Sequence, residues 1–473
     1  MPVGFGVDRR RATRGVSFVL SSVLLLASAR PANGQDPVPK RPLGRDVLVY
    51  QPAPSDPERR EAPPFQNPTG EVSLRDAVAL ALLHNPGLAA FAWETRAREA
   101  RMLQAGRPPN PVITTLVQDL GGNTGLVRAA DPIQSQTTIE LSQLIELGGK
   151  RAARQKLAAA DRDLAAWDYE AARIDVLTEV SRAFTDVLAT QETVALTEEM
   201  TRLVEQVHQS VGVRVVAGVV SPIEETRANV ALAAVRVESA RARRSLDASR
   251  ARLALLWGTS TPAFKAVLGD LKRELAPLPP FTALMARIEQ SPDLARWAAE
   301  LSQREAVLAV ERSKRVPDVA VIGGYRRYPE IDSNAIVIGA SIPLPLFDRN
   351  RGGIEEARSR LAKAHEERRA AQARVAAALA DAYAALASAY DEVTALRSAV
   401  LPGSQQTFEA VSEGYRLGRF GYLDVLESQR TLIGAGSQYL RALSEYHKAI
   451  AYVERLIGAP LAGSTDLPTT ARE

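Results

Sequence analysis

The sequence predicts a mainly α fold with a small β part, in which one structural unit is used twice. Three observations predict it. First, segments recur about 200 residues apart: LSQLIELGGKR near Leu141 is answered by SIPLPLFDRNR near Ser341, and VAGVVSPIEETRANVAL near Val216 by RLGRFGYLDVLESQRTL near Arg416. Gly218 matches Gly418, Ile223 matches Leu423 and Glu224 matches Asp424, and Leu256-Trp257-Gly258 matches Leu456-Ile457-Gly458. A spacing this steady marks a duplicated unit of preserved length. Second, very long stretches carry helical periodicity with no breaker. Third, each copy sets two short alternating segments ahead of its long helical part.

The elements follow in order. Arg9, Arg10, Arg11 and Arg14 precede a short apolar run, 16–29, rich in Leu, Val and Ser. Residues 1–34 therefore read as a secretory signal peptide, cleaved after Ala29 or after Gly34, and too short for a good spanning helix. This leader holds five of the 59 basic and one of the 55 acidic residues, which leaves 54 of each in the mature chain. The basic balance is thus a property of the leader and no argument for nucleic acid. The chain has no cysteine, which excludes disulfides, thiolate metal sites and a lipid on an N-terminal cysteine. Residues 35–70 are rich in Pro and charge and predict an extended, solvated segment.

Ser73-Leu-Arg-Asp76 is a capping-box-like helix start, and the helix runs to about His84. Asn85-Pro86 restarts a helix to about Gly106, and Ser291-Pro292 repeats this in the second copy. Arg107-Pro-Pro-Asn-Pro111 ends it. A strand over 112–120, a stretch with Gly121, Gly122 and Gly125, and a strand over 137–144 follow. In the latter, Thr137, Ile139 and Leu141 alternate with Thr138, Glu140 and Ser142. Two-residue alternation of this kind suits a barrel strand and a tilted crossing of a bilayer. Segments 319–326 and 335–342 occupy the same places in the second copy. Any one pair would look alike in an ordinary soluble hairpin.

From Lys150 to about Val211 there is neither Pro nor Gly, and Leu157, Leu164, Ala171, Ile174, Leu177, Ser181, Phe184 and Leu188 recur at helical spacing. Sixty such residues span roughly 90 Å. Ser221-Pro-Ile-Glu224 reads as a capping box for the return helix, and the first hairpin covers about 148–257. The second covers about 353–457, with Pro402-Gly403 expected to interrupt its ascending helix. The first copy has no counterpart to that pair. Dense alanine suits close lateral packing. The repeats are expected at 71–260 and 271–460, with a flexible tail over 461–473.

No catalytic constellation emerges. His84, His208, His365 and His447 are scattered without metal-ligand spacing, and Leu147-Gly-Gly-Lys150 lacks the spacing of a phosphate-binding loop. The glycines there answer to turn chemistry where a strand gives way to a helix. Interleaved charges read as solvated helix faces. No enzyme, cofactor or energy source is predicted.

The duplicated unit, the joint at 341–352 and the two tip sequences resemble the TolC family of outer-membrane efflux proteins over about residues 71–460. LSQLIELGGKR and Ser341-Ile-Pro-Leu-Pro-Leu-Phe347 are most similar to its heavy-metal, CzcC-like branch. The resemblance implies a trimeric α/β barrel channel: four transmembrane β-strands per protomer, closed by a homotrimer into one twelve-stranded barrel in the outer membrane lipid of a Gram-negative bacterium. The hairpins would form a periplasmic tunnel. Four strands cannot satisfy their own edges in lipid, and lone helices of this length are marginal, so both features agree with assembly. The implied function is a passive duct for heavy-metal cations, or for drugs and other organic solutes. Its implied partners are a periplasmic adaptor and an inner-membrane resistance-nodulation-division pump. Many relatives carry a lipidated cysteine after the leader, and no lipid anchor is expected here.

Gly218, Ser221, Gly418 and Gly421 mark the expected adaptor-docking tips. The positions matching the family's acidic entrance rings are Asp424 and Glu427, which share a helix face. The helix dipole also favours acids there. Tyr415 and Glu224 match a tyrosine–acid contact that holds the entrance shut, and Glu224 also suits a cap of its own helix. A periplasmic adaptor is the main rival, but it would carry one hairpin between two half-lipoyl segments. A structural coiled-coil protein would not need Pro-bounded strands.

Overall fold

The structure, a computed structural model, describes residues 67–119, 135–273 and 275–461, all within one compact unit. The leader 1–34, the Pro-rich segment up to residue 66, the loop of Gly121, Gly122 and Gly125, and the tail beyond residue 461 lie outside the described residues.

The chain begins with a short strand, β1 (Gly70–Ser73), and a helix, α1 (Leu74–His84). The Ser73 hydroxyl accepts from the Asp76 N–H while the Asp76 carboxylate accepts from the Ser73 N–H, a complete capping box. Asn85 then caps α2 (Pro86–Ala105) by accepting from the Leu88 N–H at 3.0 Å. Two strands follow, β2 (Val112–Gln118) and β3 (Gln136–Ile145). The first hairpin is α3 (Lys150–Val216) and α4 (Pro222–Leu255). At 67 residues α3 is roughly 100 Å long.

A linker holds β4 (Phe264–Leu268) and the one-turn helix α5 (Phe281–Met285). The second copy then runs through α6 (Pro292–Ser313), β5 (Val319–Tyr328), β6 (Ser333–Ser341), α7 (Arg351–Ala395), α8 (Leu401–Arg416) and α9 (Tyr422–Ile457). Unlike Asn85, Ser291 makes no side-chain cap, and its hydroxyl is buried without a partner among the described residues. The restart at Pro292 therefore has proline's preset φ and the Asp293 carboxylate in the first turn, but no side-chain cap.

Pro402-Gly403 does not interrupt the ascending helix. The backbone stays helical from Arg351 to Arg416 and widens into one π turn, Leu396–Val400. Proline has no N–H and its ring crowds the carbonyl four residues back, here Ser398, so a wider turn just ahead of it absorbs both defects. On α7 the buried residues Ala371, Val375, Leu379, Ala382, Leu386, Ala389 and Val393 recur at three and four; Ala371 and Val375 pack against Leu294 of α6, and the rest share a core with α9.

Helices α2, α3, α6 and α7 pack side by side in that order, with α4 and α9 laid against α3 and α7. A core of Val180, Phe184, Leu253, Trp257, Leu386, Leu443, Ile457 and their neighbours joins the two hairpins. The matching glycines Gly258 and Gly458 both have positive φ, 83° and 69°, so the duplication extends to the conformation that ends each hairpin. The linker adds a parallel pair, β1 with β4, which sequence periodicity gave no sign of. The free edge of β4 is closed by the Gln191 amide, which accepts from the Val267 N–H at 2.8 Å and donates to its carbonyl at 3.2 Å.

The strands β2-β3-β5-β6 form one antiparallel sheet in that order. Register sorts its side chains. Ile113, Ile139, Leu141, Val321, Tyr325, Ile336 and Ile338 share one face, and Thr138, Glu140, Ser142, Gly324 and Arg326 share the other. The apolar face is the open one, with Ile336 82% and Ile338 85% exposed, while Thr138 on the polar face is buried. The sheet therefore curls with its polar side inward, the arrangement of a membrane barrel wall. No described helix is long and apolar enough to cross a membrane.

Each strand passes to its helix through a braced joint. Gly148 and Gly149, at φ 67° and 70°, turn β3 into α3. Asp318, ahead of β5, accepts from the Leu147 N–H at 3.0 Å and pairs with Lys150 at 2.8 Å. Arg154 reaches back to Glu146 through two hydrogen bonds. In the second copy, Asn350, at φ 51°, donates to the Glu311 carboxylate at 2.8 Å. The Arg154 hydrogen bond holds the Glu146 carboxyl below its usual range, and the Asn350 amide does the same for Glu311. Burial pushes Asp318 up, but Lys150 and the Leu147 N–H outweigh it, so this carboxyl too is held low.

Candidate functional site at the hairpin tips

Both tips are built alike. Gly218 and Gly418 follow the ascending helices with φ of 71° and 75°. At the first tip the Val219 N–H bonds the Arg214 carbonyl at 2.9 Å and the Gly218 N–H bonds that of Val215 at 3.0 Å. At the second, Arg419 bonds Gly414 at 2.8 Å and Gly418 bonds Tyr415 at 3.0 Å. This is the Schellman arrangement, whose left-handed residue is glycine because it has no Cβ to clash.

The descending helices start differently. Ser221 accepts from the Ile223 N–H at 3.4 Å, but Glu224 does not return to the Ser221 N–H. The capping box expected at 221–224 is thus not made, and Ser221 caps through Ile223 alone. The Glu224 carboxylate instead accepts from the Tyr415 hydroxyl at 3.2 Å and ties the first hairpin to the second. In the second copy Gly421 offers no side chain, and its N–H donates to the Asp424 carboxylate at 2.8 Å. Asp424 thereby caps its own helix, and Asp424 and Glu427 stand exposed on a common face of α9.

Tyr415 is the hub. It is 3% exposed. The Arg214 guanidinium lies over its ring, 4.5 Å from the centroid, and donates to its carbonyl. Tyr422 packs on it with ring centroids 6.0 Å apart. Around the pair, Met200, Val211, Ala228, Phe408, Val425 and Leu432 form a small core of the tip's own. Burial, reinforced by Glu224, pushes the Tyr415 hydroxyl up to about 12, so it remains a donor at neutral pH. Burial and the neighbouring Tyr415 push Tyr422 up to about 12 as well.

Arg214 and Tyr422 were not anticipated from sequence. A basic residue in the last turn is ordinary for any helix, and Tyr422 stands where the first copy has Pro222. Beyond the hub the tips expose apolar side chains: Val216, Val219 and Ile223 on one, Leu417, Phe420 and Leu423 on the other. Among the described residues, no group of His, Asp or Glu is placed to hold a metal ion.

A duplicated pair of long hairpins carrying a small, inward-curling sheet defines an outer-membrane channel with its helices in the periplasm. Residues 77–259 and 285–459 match the family described as Outer membrane efflux protein, and the chain belongs to that family. It is 36% identical to the cobalt-zinc-cadmium resistance protein CzcC of Cupriavidus metallidurans over 422 residues, 88% of this chain and 98% of that one. It is 29% identical to the nickel-cobalt-cadmium resistance protein NccC of Alcaligenes xylosoxydans xylosoxydans over 304 residues, 64% of this chain and 66% of that one. In fold it is similar to a crystal structure of CusC, with a TM-score of 0.68, 17% identity, and coverage of 87% of this chain and 99% of that one.

Proposed function

We propose that three copies of this chain close one barrel and form the outer-membrane duct of a tripartite heavy-metal efflux system. A resistance-nodulation-division pump in the inner membrane supplies the energy, and a periplasmic adaptor joins pump to duct. The observation that carries the cargo is the 36% identity to a cobalt-zinc-cadmium resistance protein across nearly its whole length. Support for closure by copies comes from the sheet: β2 and β6 are both edges, and an edge in lipid leaves backbone groups unpaired.

The tips fit an entrance. Three copies of Asp424 and Glu427 would set two acidic rings, one helical turn apart, that concentrate cations and repel one another. Tyr415 and Glu224 hold the two hairpins together as a latch. The turns at Gly218, Ser221, Gly418 and Gly421, with exposed apolar residues beside them, are the surface an adaptor would grip. With no ligand set in the described wall, selection among metals falls to the pump.

The test is deletion of the gene in its host. Growth should become sensitive to cobalt, zinc or cadmium salts and recover with the intact chain. Sensitivity confined to antibiotics or organic solutes would reassign the cargo and leave the duct. Undiminished resistance to all of them would remove the function.

A further inference from the structure

The polar face of the sheet carries two charged side chains that neither the tips nor the joints use. Glu140 is the fifth residue of the ten-residue β3, and Arg326 is the eighth of β5. Both fall on the enclosed face, with Thr138 and Ser142. The strand pairing sets Glu140 opposite Gly324 and Arg326 opposite Thr138. The Arg326 Nε donates to the Thr138 hydroxyl at 2.9 Å, which holds the guanidinium across to β3 at a level two residues nearer the β5–β6 turn than Glu140. Among the described residues neither charge is held in an ion pair.

Gly324 makes room for Glu140. A Cβ built there would meet the Ile139 carbonyl oxygen at 2.8 Å and the Glu140 Cγ at 2.9 Å. Glu140 therefore lies across a gap in the neighbouring strand, at mid-strand height. A charge at that height facing lipid would cost several kcal/mol; facing a water-filled lumen it costs little. The remaining charge on these two strands, Arg327, sits on the outer face, next to the turn, and pairs with Asp332 at 3.3 Å.

We propose that Glu140 and Arg326 form charged rings on the channel wall at membrane height that act on small hydrated ions in transit, Glu140 drawing cations and Arg326 drawing anions. This rests on the channel reading above. It assigns the wall a second electrostatic station, separate from the tips.

The chain has no cysteine, so one introduced thiol is unique. Ser142→Cys places it on the same face two residues from Glu140, roughly 7 Å away. The full-length variant is reacted in outer-membrane fragments with cationic and anionic methanethiosulfonates, and the ratio of the two rates is measured. At that distance a unit charge in screened water changes each reagent's local concentration by about 1.7-fold, in opposite senses, so Glu140→Gln should lower the ratio about threefold. Arg326→Gln should raise it. Leu141→Cys, facing lipid, should stay unlabelled.

A ratio that moves with neither substitution overturns the rings, and labelling at Leu141→Cys without labelling at Ser142→Cys overturns the assignment of faces. In both cases the channel stands. A chain that never enters the outer membrane overturns the rings and the channel together.

Discussion

At the scale of the residue, one hydroxyl joins the two hairpin tips. Tyr415→Phe keeps the ring under Arg214 and against Tyr422 and removes only the bond to Glu224. Glu224 is half-exposed, so water replaces the lost donor and the cost is about 1 kcal/mol. Backbone amides at 213–219 and 413–419 should then exchange about fivefold faster, while those near Trp257 keep their rates. Equal rates at the tips would mean that the hydroxyl contributes nothing there. Alkali should act on the same place. Tyr415 and Tyr422 have folded-state values raised to about 12 from an ordinary value near 10. A raised value means that the folded state favours the neutral form. The stabilisation is complete below about pH 10 and is lost as pH rises through 12. Tip protection measured between pH 9 and 12 should fall across that window, and Tyr415→Phe should flatten part of the fall.

At the scale of the element, the turns carry what conformation demands. Gly418 has φ 75° and open space around any added Cβ, so Gly418→Ala is a test of backbone strain alone. It should cost about 1–2 kcal/mol. Gly352→Ala, in equally open space in the first turn of α7, should be neutral or stabilising by up to about 1 kcal/mol. In thermal melts the midpoint should fall for Gly418→Ala and stay level or rise for Gly352→Ala. Those turn glycines were legible in the sequence because a helix can end on a left-handed residue in few ways. The hairpins and the four barrel strands were legible because length and two-residue alternation survive without knowing the partner. The pair β1 and β4 was not, since strands of four and five residues have no periodicity to read and their pairing spans about 190 residues. The π turn was hidden for a related reason: Pro402 announces a defect but not whether the helix breaks or widens. At the tips, the meeting of Tyr415 with Glu224 was suggested by family resemblance alone. A separation of 191 residues carries no local signal. Glu224 read equally well as a cap until Tyr415 was seen to claim it.

At the scale of the whole molecule, the decisive property is that the protomer is unfinished. Its sheet ends at β2 and β6, and the most exposed large apolar residues of its strands are Ile336 and Ile338. A water-soluble protein would turn that face to a core. Here the described helices pack one another and leave it bare, which makes sense only where the surroundings are hydrocarbon. Ile338→Arg tests this at mid-strand. A basic residue at the membrane midplane of a barrel costs about 2–4 kcal/mol. Three protomers multiply it, so the closed assembly should lose on the order of 6–12 kcal/mol, enough to prevent insertion. Val337→Thr, one residue away and facing inward, changes shape little and meets water, so it should leave assembly intact. The measurement is the amount of heat-sensitive trimer in the outer-membrane fraction, read by electrophoresis with and without boiling, beside growth on cobalt, zinc and cadmium. Loss of trimer in Ile338→Arg with wild-type levels in Val337→Thr is the expected pattern. Equal amounts of trimer in the two variants would mean that Ile338 does not face lipid and that the two faces of the sheet are assigned the wrong way round.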